Sequence, residues 1–177
     1  MKKYISLVLV ALSGCILTVN AQQSFSYKNP LLPTELRVND LLDRMTLEEK
    51  IAQIRHLHSW DVFDGQVLNQ EKLDKMCGGI GYGFFEGFPL TAASCRKTFR
   101  EIQTYMVEKT RLGIPGFPVA ESLHGVVHEG TTIYPQNIAM GSTFNPELAY
   151  EKTKHIAGEL NTMGVKQVLA PCIDVVR

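Results

Sequence analysis

Apolar and polar positions along the chain divide it into segments of distinct period. An almost unbroken apolar run over residues 4–19 follows Met1-Lys2-Lys3. Leu36, Val38, Leu41, Leu42 and Met45 then recur near helical spacing and predict an amphipathic helix. Thr46-Leu47-Glu48-Glu49 has the order of a capping box, which predicts a second helix from Thr46 that buries Leu47, Ile51 and Ile54. Residues 59–70 read as a loop. The stretch Cys77-Gly78-Gly79-Ile80-Gly81-Tyr82-Gly83-Phe84-Phe85 is short, apolar and rich in glycine. Its glycines do not fall in the order of a phosphate loop, and it predicts a buried strand with close backbone approach. Residues 91–112 predict a long helix with Phe99, Ile102, Met106 and Val107 on one face, ended by Gly113-Ile114-Pro115. Residues 117–120 predict a strand. Asn145-Pro146 supplies an N-cap with proline at the first helical position, and that helix runs to Met163 and stops at Gly164. Residues 167–173 predict another short apolar strand.

Strands alternating with helices of this length imply parallel βαβ units, hence an α/β fold. The last strand falls at the end of the sequence, without the helix that would cover it, so the expectation is an incomplete parallel architecture. No repeat or low-complexity segment interrupts it.

Composition narrows the function classes. Eighteen basic residues balance eighteen acidic ones with no long block of one sign, which argues against a nucleic-acid footprint. The basic start and apolar run read as a secretory signal, cut after Ala21 at Val19-Asn20-Ala21. Leu12-Ser13-Gly14-Cys15 offers the alternative of a lipobox, with Cys15 carrying a lipid. The run falls short of the ~20 residues a membrane span needs. Cys77, Cys95 and Cys172 are widely spaced with no CxxC pair, so neither a disulfide framework nor a thiolate zinc site is suggested.

The densest chemistry lies in Val119-Ala120-Glu121-Ser122-Leu123-His124-Gly125-Val126-Val127-His128-Glu129-Gly130. A metal reading uses His124 and His128, four apart, but the order is not H-E-x-x-H and Gly125-Val126-Val127 is a poor helix interior. A Ser122–His124 hydrolase lacks the G-x-S-x-G elbow. A third reading uses position: Glu121 stands where a strand hands over to its loop, and Asp174 stands in the equivalent place after the last strand. Chemistry in parallel α/β folds gathers at those carboxyl ends, and a carboxylate there can accept hydrogen bonds from sugar hydroxyls. The alternative is that both acids only cap loops or pair with nearby cations.

Four stretches, "LLDRMTLEEKIAQ" (41–53), "RLGIPGFPVAESLHG" (111–125), "YPQNIAMGSTFNPEL" (134–148) and "QVLAPCIDVVR" (167–177), together resemble the N-terminal part of glycoside hydrolase family 3. The resemblance implies about three βα units of a TIM-type (β/α)8 barrel, incomplete here. Residues 1–21 would be a signal peptide, 22–58 a leader with two helices, and 59–177 the barrel portion. It implies an exported fragment, periplasmic or extracellular, or a lipoprotein of the outer membrane if Cys15 is the anchor. The full-length activity it implies is retaining, exo-acting β-glucosidase or β-xylosidase chemistry on oligosaccharides or β-glycosides, with no cofactor and no metal.

Glu121 falls where the family carries an acid that grips hydroxyls of the terminal sugar. Many members have Asp there, so Glu121 is a departure that alters which hydroxyl is reached. Asp174 is the second substrate-binding candidate, and His124 and Gly125 match a His-Gly pair that shapes the loop near the site. The family's nucleophile is an Asp on a later barrel strand and its acid/base lies later again, so no catalytic residue is expected among these 177 positions. Two other functions stay in view: a non-catalytic carbohydrate-binding protein, for which only Trp60 could serve as a tryptophan platform, and a zinc hydrolase using His124 and His128.

Overall fold

The computed structural model describes residues 26–87 and 91–171. The signal-peptide reading, Cys15 and Asp174 lie outside the described residues. The chain divides between Arg44 and Met45 into two compact units. In the first, a single 3-10 turn (Ser26–Lys28) precedes helix α1 (Thr34–Arg44). Asp40 ties the two: it accepts from the Tyr27 amide at 3.0 Å and from the Arg44 guanidinium at 2.8 Å. The Arg44 hydrogen bond holds the Asp40 carboxyl below the usual carboxylate range. The apolar stripe predicted for α1 is exposed at Leu36, Val38 and Leu42, and the helix buries no residue.

The second unit runs α2 (Leu47–Gln53), β1 (His56–His58), a one-turn α3 (Ser59–Val62), β2 (Phe63–Asp64), β3 (Val67–Leu68), α4 (Gln70–Cys77), β4 (Phe84–Glu86), α5 (Ala92–Lys109), β5 (Phe117–Glu121), α6 (Asn137–Gly141), α7 (Pro146–Met163) and β6 (Gln167–Leu169). Strands β1, β4, β5 and β6 form one parallel sheet in chain order, and β2 pairs with β3 as a small hairpin. Sequential parallel pairing joined by helices is the α/β pattern expected from the sequence, with one strand more than predicted. Among the described residues the sheet does not close on itself.

Local chemistry starts and stops the helices. Thr46 accepts from the Glu49 amide at 3.2 Å and donates its own amide to the Glu49 carboxylate at 2.9 Å, the capping box predicted at the start of α2. Asn145 caps α7 at the Leu148 amide, and Gly164 ends it with φ +93°, a left-handed turn that favours glycine. From there the Lys166 amide reaches Pro118 at 2.9 Å and leads straight into β6.

The core lies between the sheet and the helices. Leu57 of β1 and Phe85 of β4 are fully buried and paired in register. Phe85 meets Phe99 of α5 edge-on at 5.6 Å, and Ile102 and Met106 continue that helix face. Val107, predicted with them, is exposed instead. Cys95, Phe99, Ile102 and Met106 recur at steps of three or four, and Val107 follows the last of them by one residue, about 100° around the helix.

Helix α2 differs more from expectation. Leu47, Ile51 and Ile54 are exposed, while Glu49 and Ala52 are buried. The reason is an ion pair. Arg111, 62 residues away in sequence, donates to Glu49 through Nε at 2.8 Å and through Nη2 to the second carboxylate oxygen, a two-pronged contact. The predicted strand from the glycine run is also shortened: it starts only at Phe84. Gly83 is where the backbone comes closest, since a Cβ there would stand 1.8 Å from the Gln53 carbonyl oxygen.

The Arg111 hydrogen bond is the main cause that lowers the Glu49 carboxyl below its ordinary value. A depressed carboxyl contributes stability above its unfolded value of ~4.3 and loses it as pH falls through the lower native value. Glu49→Gln should therefore cost about 1–2 kcal/mol near neutrality, discounted because Arg111 is half exposed. It should also flatten the loss of stability below about pH 4. Denaturant unfolding followed across pH checks this; an unchanged acid limb would remove the pair from that role.

Candidate functional site

The carboxyl ends of three neighbouring strands carry polar side chains: His58 on β1, Glu86 on β4 and Glu121 on β5. His58 and Glu86 are register partners. All three line one cavity of about 360 Å³, together with Trp60, Gly87 and His128. Its apolar floor comes from residues such as Phe99 and Val119. A space of this size, mostly apolar with a few convergent polar groups, has the character of a small-ligand site.

Glu86 is gripped from one side. Its Oε1 lies 3.0 Å from His56 Nδ1 and 3.4 Å from His58 Nδ1. Neither ring nitrogen is aligned for a hydrogen bond, so the contact is one of proximity. The His58 ring stacks on Trp60 at 4.3 Å between centroids and 9° between planes. The Ser59 hydroxyl donates to the Gly87 carbonyl, which ties the end of β1 to the end of β4.

The loop after β5 places the remaining predicted residues. Glu121 is the last residue of β5, exposed, and faces the cavity. Gly125 adopts φ +112°, and a Cβ there would stand 2.3 Å from the Thr132 carbonyl oxygen, so the loop crosses itself where only glycine fits. Beside it, the His124 carbonyl accepts from the Tyr134 amide at 2.8 Å, closing the loop's base. His124 does not line the cavity. His128, named from sequence as a possible zinc ligand with His124, is half-buried in the cavity wall, and burial lowers its pKa so that the ring favours the neutral form. The sequence reading passed over His58 and Glu86 altogether.

Other chemistries find less support in the geometry. The Ser122 hydroxyl and His124 Nδ1 are both buried without a hydrogen-bond partner among the described residues, so they are not bonded to each other as nucleophile and base. No three His, Cys, Asp or Glu side chains among the described residues stand close enough to hold a metal ion. Burial pushes the Cys77 thiol up to about 12 and the Cys95 thiol up to about 11, which keeps both protonated at neutral pH.

Residues 46–177 match the model of the glycosyl hydrolase family 3 N-terminal domain. A Formosa agariphila protein named provisionally as a β-xylosidase is 31% identical over 160 residues, covering 88% of this chain and 21% of that protein. A periplasmic β-glucosidase of Salmonella typhimurium is 27% identical over 177 residues, covering 99% of this chain and 21% of that protein. Among solved structures, a β-glucosidase of Erythrobacter marinus superposes with TM-score 0.71 at 26% identity, over 86% of this chain and 20% of that one. The chain thus spans about a fifth of the length of these relatives. The parallel sheet is the opening part of a TIM-type barrel, as the sequence implied.

Gly125→Ala should force the loop off the Thr132 carbonyl and cost about 1–3 kcal/mol through the strained φ and the contact. Thermal unfolding and limited proteolysis between residues 126 and 131 read this out. A variant with unaltered melting and protease resistance would show that the loop tolerates a side chain there.

Proposed function

The chain belongs to glycosyl hydrolase family 3, and on that premise we propose that the full-length protein is a retaining exo-β-glycosidase that removes terminal β-glucosyl or β-xylosyl residues from oligosaccharides. The observation that carries this reading is Glu121 at the end of β5, sharing one cavity with Glu86 at the end of β4. Carboxylates accept strong hydrogen bonds from hydroxyls, and a sugar ring presents several in fixed directions. No lysine or arginine stands among the described lining residues, which favours an uncharged ligand over a phosphorylated or acidic one. Glu121 is the substrate-binding residue of this segment, and Asp174, which lies outside the described residues, is its proposed partner. His124 and Gly125 shape the loop that follows Glu121.

Retention of configuration requires a nucleophile and an acid/base with carboxyl groups ~5–5.5 Å apart. On this reading those two groups come from other parts of the full-length protein, and the present segment supplies one wall of the sugar site. Glu121→Ala in the full-length protein should lower kcat/KM on aryl β-glucosides or β-xylosides by about one to two orders of magnitude, the worth of one charge-assisted hydrogen bond. Proton NMR of the first-formed product should show the β anomer. Unchanged kinetics would take Glu121 out of the site, and sugar binding without turnover would favour a non-catalytic carbohydrate-binding protein.

Export is part of the same proposal. The Lys2-Lys3 start, the apolar run and the Val19-Asn20-Ala21 end support a cleaved leader, and one relative is named as periplasmic. N-terminal sequencing of the mature protein should begin at Gln22. A lipid on Cys15 would replace this with tethering to a membrane surface.

A further inference from the structure

We infer that Trp60 is a stacking platform for an uncharged pyranose ring at the rim of this cavity, held flat in advance by His58. The inference rests on the glycoside reading above and adds to it a residue and a mode of recognition.

Trp60 follows β1 by two residues and is 70% exposed. Val127, 76% exposed, lines the same cavity, so the ring is part of an exposed apolar surface beside the carboxylates rather than a lone apolar side chain. One face of the indole is occupied by the His58 ring at 4.3 Å and 9°. Behind His58 the stacking continues: His56 at 6.0 Å from His58, Phe84 at 5.0 Å from His56, and Phe117 at 5.9 Å from Phe84. The register explains the alignment, since His56, Phe84 and Phe117 are direct partners across β1, β4 and β5 and so project to the same side. Trp60 is the outer rung of a ladder of rings anchored on three strands.

Two consequences follow for binding. A ring already stacked on one face has little rotamer freedom left to lose, so a ligand meeting its other face is not penalised for ordering it. The face that no ring of the described residues covers is an electron-rich, apolar plane, complementary to the C–H face of a pyranose whose hydroxyls project from its edge. Glu86 and Glu121 line the same cavity and can accept those hydroxyls, and Glu86 lies 3.4 Å from the very ring that supports Trp60. A nucleotide base would also stack on an indole, but its phosphates would meet two carboxylates with no lysine or arginine among the described lining residues. A flat platform with an acidic, hydroxyl-accepting rim selects a neutral sugar.

The test compares Trp60→Ala, Trp60→Phe and Glu121→Ala in the full-length protein, with cellobiose and xylobiose as ligands. Trp60→Ala should raise KM about tenfold with kcat nearly unchanged, and Trp60→Phe should recover most of the loss. The melting temperature should not move, because the ring is exposed. The difference in tryptophan fluorescence between the parent and Trp60→Phe should change when disaccharide is added. If Trp60→Ala leaves KM and that difference signal unaltered while Glu121→Ala impairs turnover, the platform is wrong and the sugar site stands. If neither variant has an effect, the sugar-site reading fails and the inference falls with it. Equal losses in both Trp60 variants with a lowered melting temperature overturn the inference in favour of a structural ring, as does capture of another protein abolished by Trp60→Ala with sugar kinetics intact.

Discussion

The ion pair between Glu49 and Arg111 is the contact on which the arrangement of the second unit turns. Glu49 closes the capping box that Thr46 opens at the start of α2, and α2 hands the chain directly to β1. Arg111 belongs to the turn that hands α5 to β5, and its amide also bonds the Gly79 carbonyl at 3.1 Å, on the approach to β4. The bidentate contact and the Arg111 amide together tie the entry points of three parallel strands to each other. The glycines tighten the same junction: the Gly83 amide reaches Ala52, the Phe117 amide reaches Gly83, and a side chain at Gly83 would collide with the Gln53 backbone. Once the amino ends of the strands are locked, the positions of their carboxyl ends follow from strand length alone. His58, Glu86 and Glu121 meet because the strands that carry them start in register.

How legible this was in the sequence depended on whether the signal was local. The N-cap of α7 at Asn145-Pro146, its stop at Gly164 and the capping box at Thr46 rest on chemistry within four residues, and each stands in the structure as read. The burial of Glu49 was hidden because its partner lies 62 residues away, and an acid on a short helix ordinarily faces water. Strand β1 was missed for a different reason. His56-Leu57-His58 is only three residues long, and its two imidazoles gave no apolar run to count. Yet the alternation of polar, buried and polar positions was there, and it is the pattern of a strand with one face packed and one face open.

The candidate site divides along the same line. Glu121 could be placed because a strand prediction ended beside it. Glu86 ends β4 in the same way, but the glycine run before it drew the predicted strand too early and left the acid outside. His128 shows the limit of reading a loop by polarity: the loop folds back on itself at Gly125, through hydrogen bonds from Thr131 to Val126 and His128, and carries the imidazole into the cavity wall. Only long-range geometry shows that a residue in a polar loop is half-buried.

Imperfect polar contacts are unevenly distributed along the chain. Buried polar atoms in folded proteins nearly always find partners, so each exception calls for a cause. Four side-chain atoms are buried without one among the described residues: His56 Nδ1, His58 Nδ1, Ser122 Oγ and His124 Nδ1. They fall in two short stretches, one on β1 and one immediately after β5, and of these four residues His58 lines the cavity that Glu86 and Glu121 share while His56, Ser122 and His124 do not. Elsewhere in the same unit even a buried lysine is satisfied, since Lys152 donates to the Pro135 carbonyl at 3.0 Å and to Asn137 at 2.8 Å. A fold that provides for a cation in its helical layer but leaves imidazoles unbonded on β1 and in the loop after β5 is not short of acceptors in general. The exceptions are confined to β1 and the turn after β5, and His58, which lines the cavity, stands 3.4 Å from the Glu86 carboxylate.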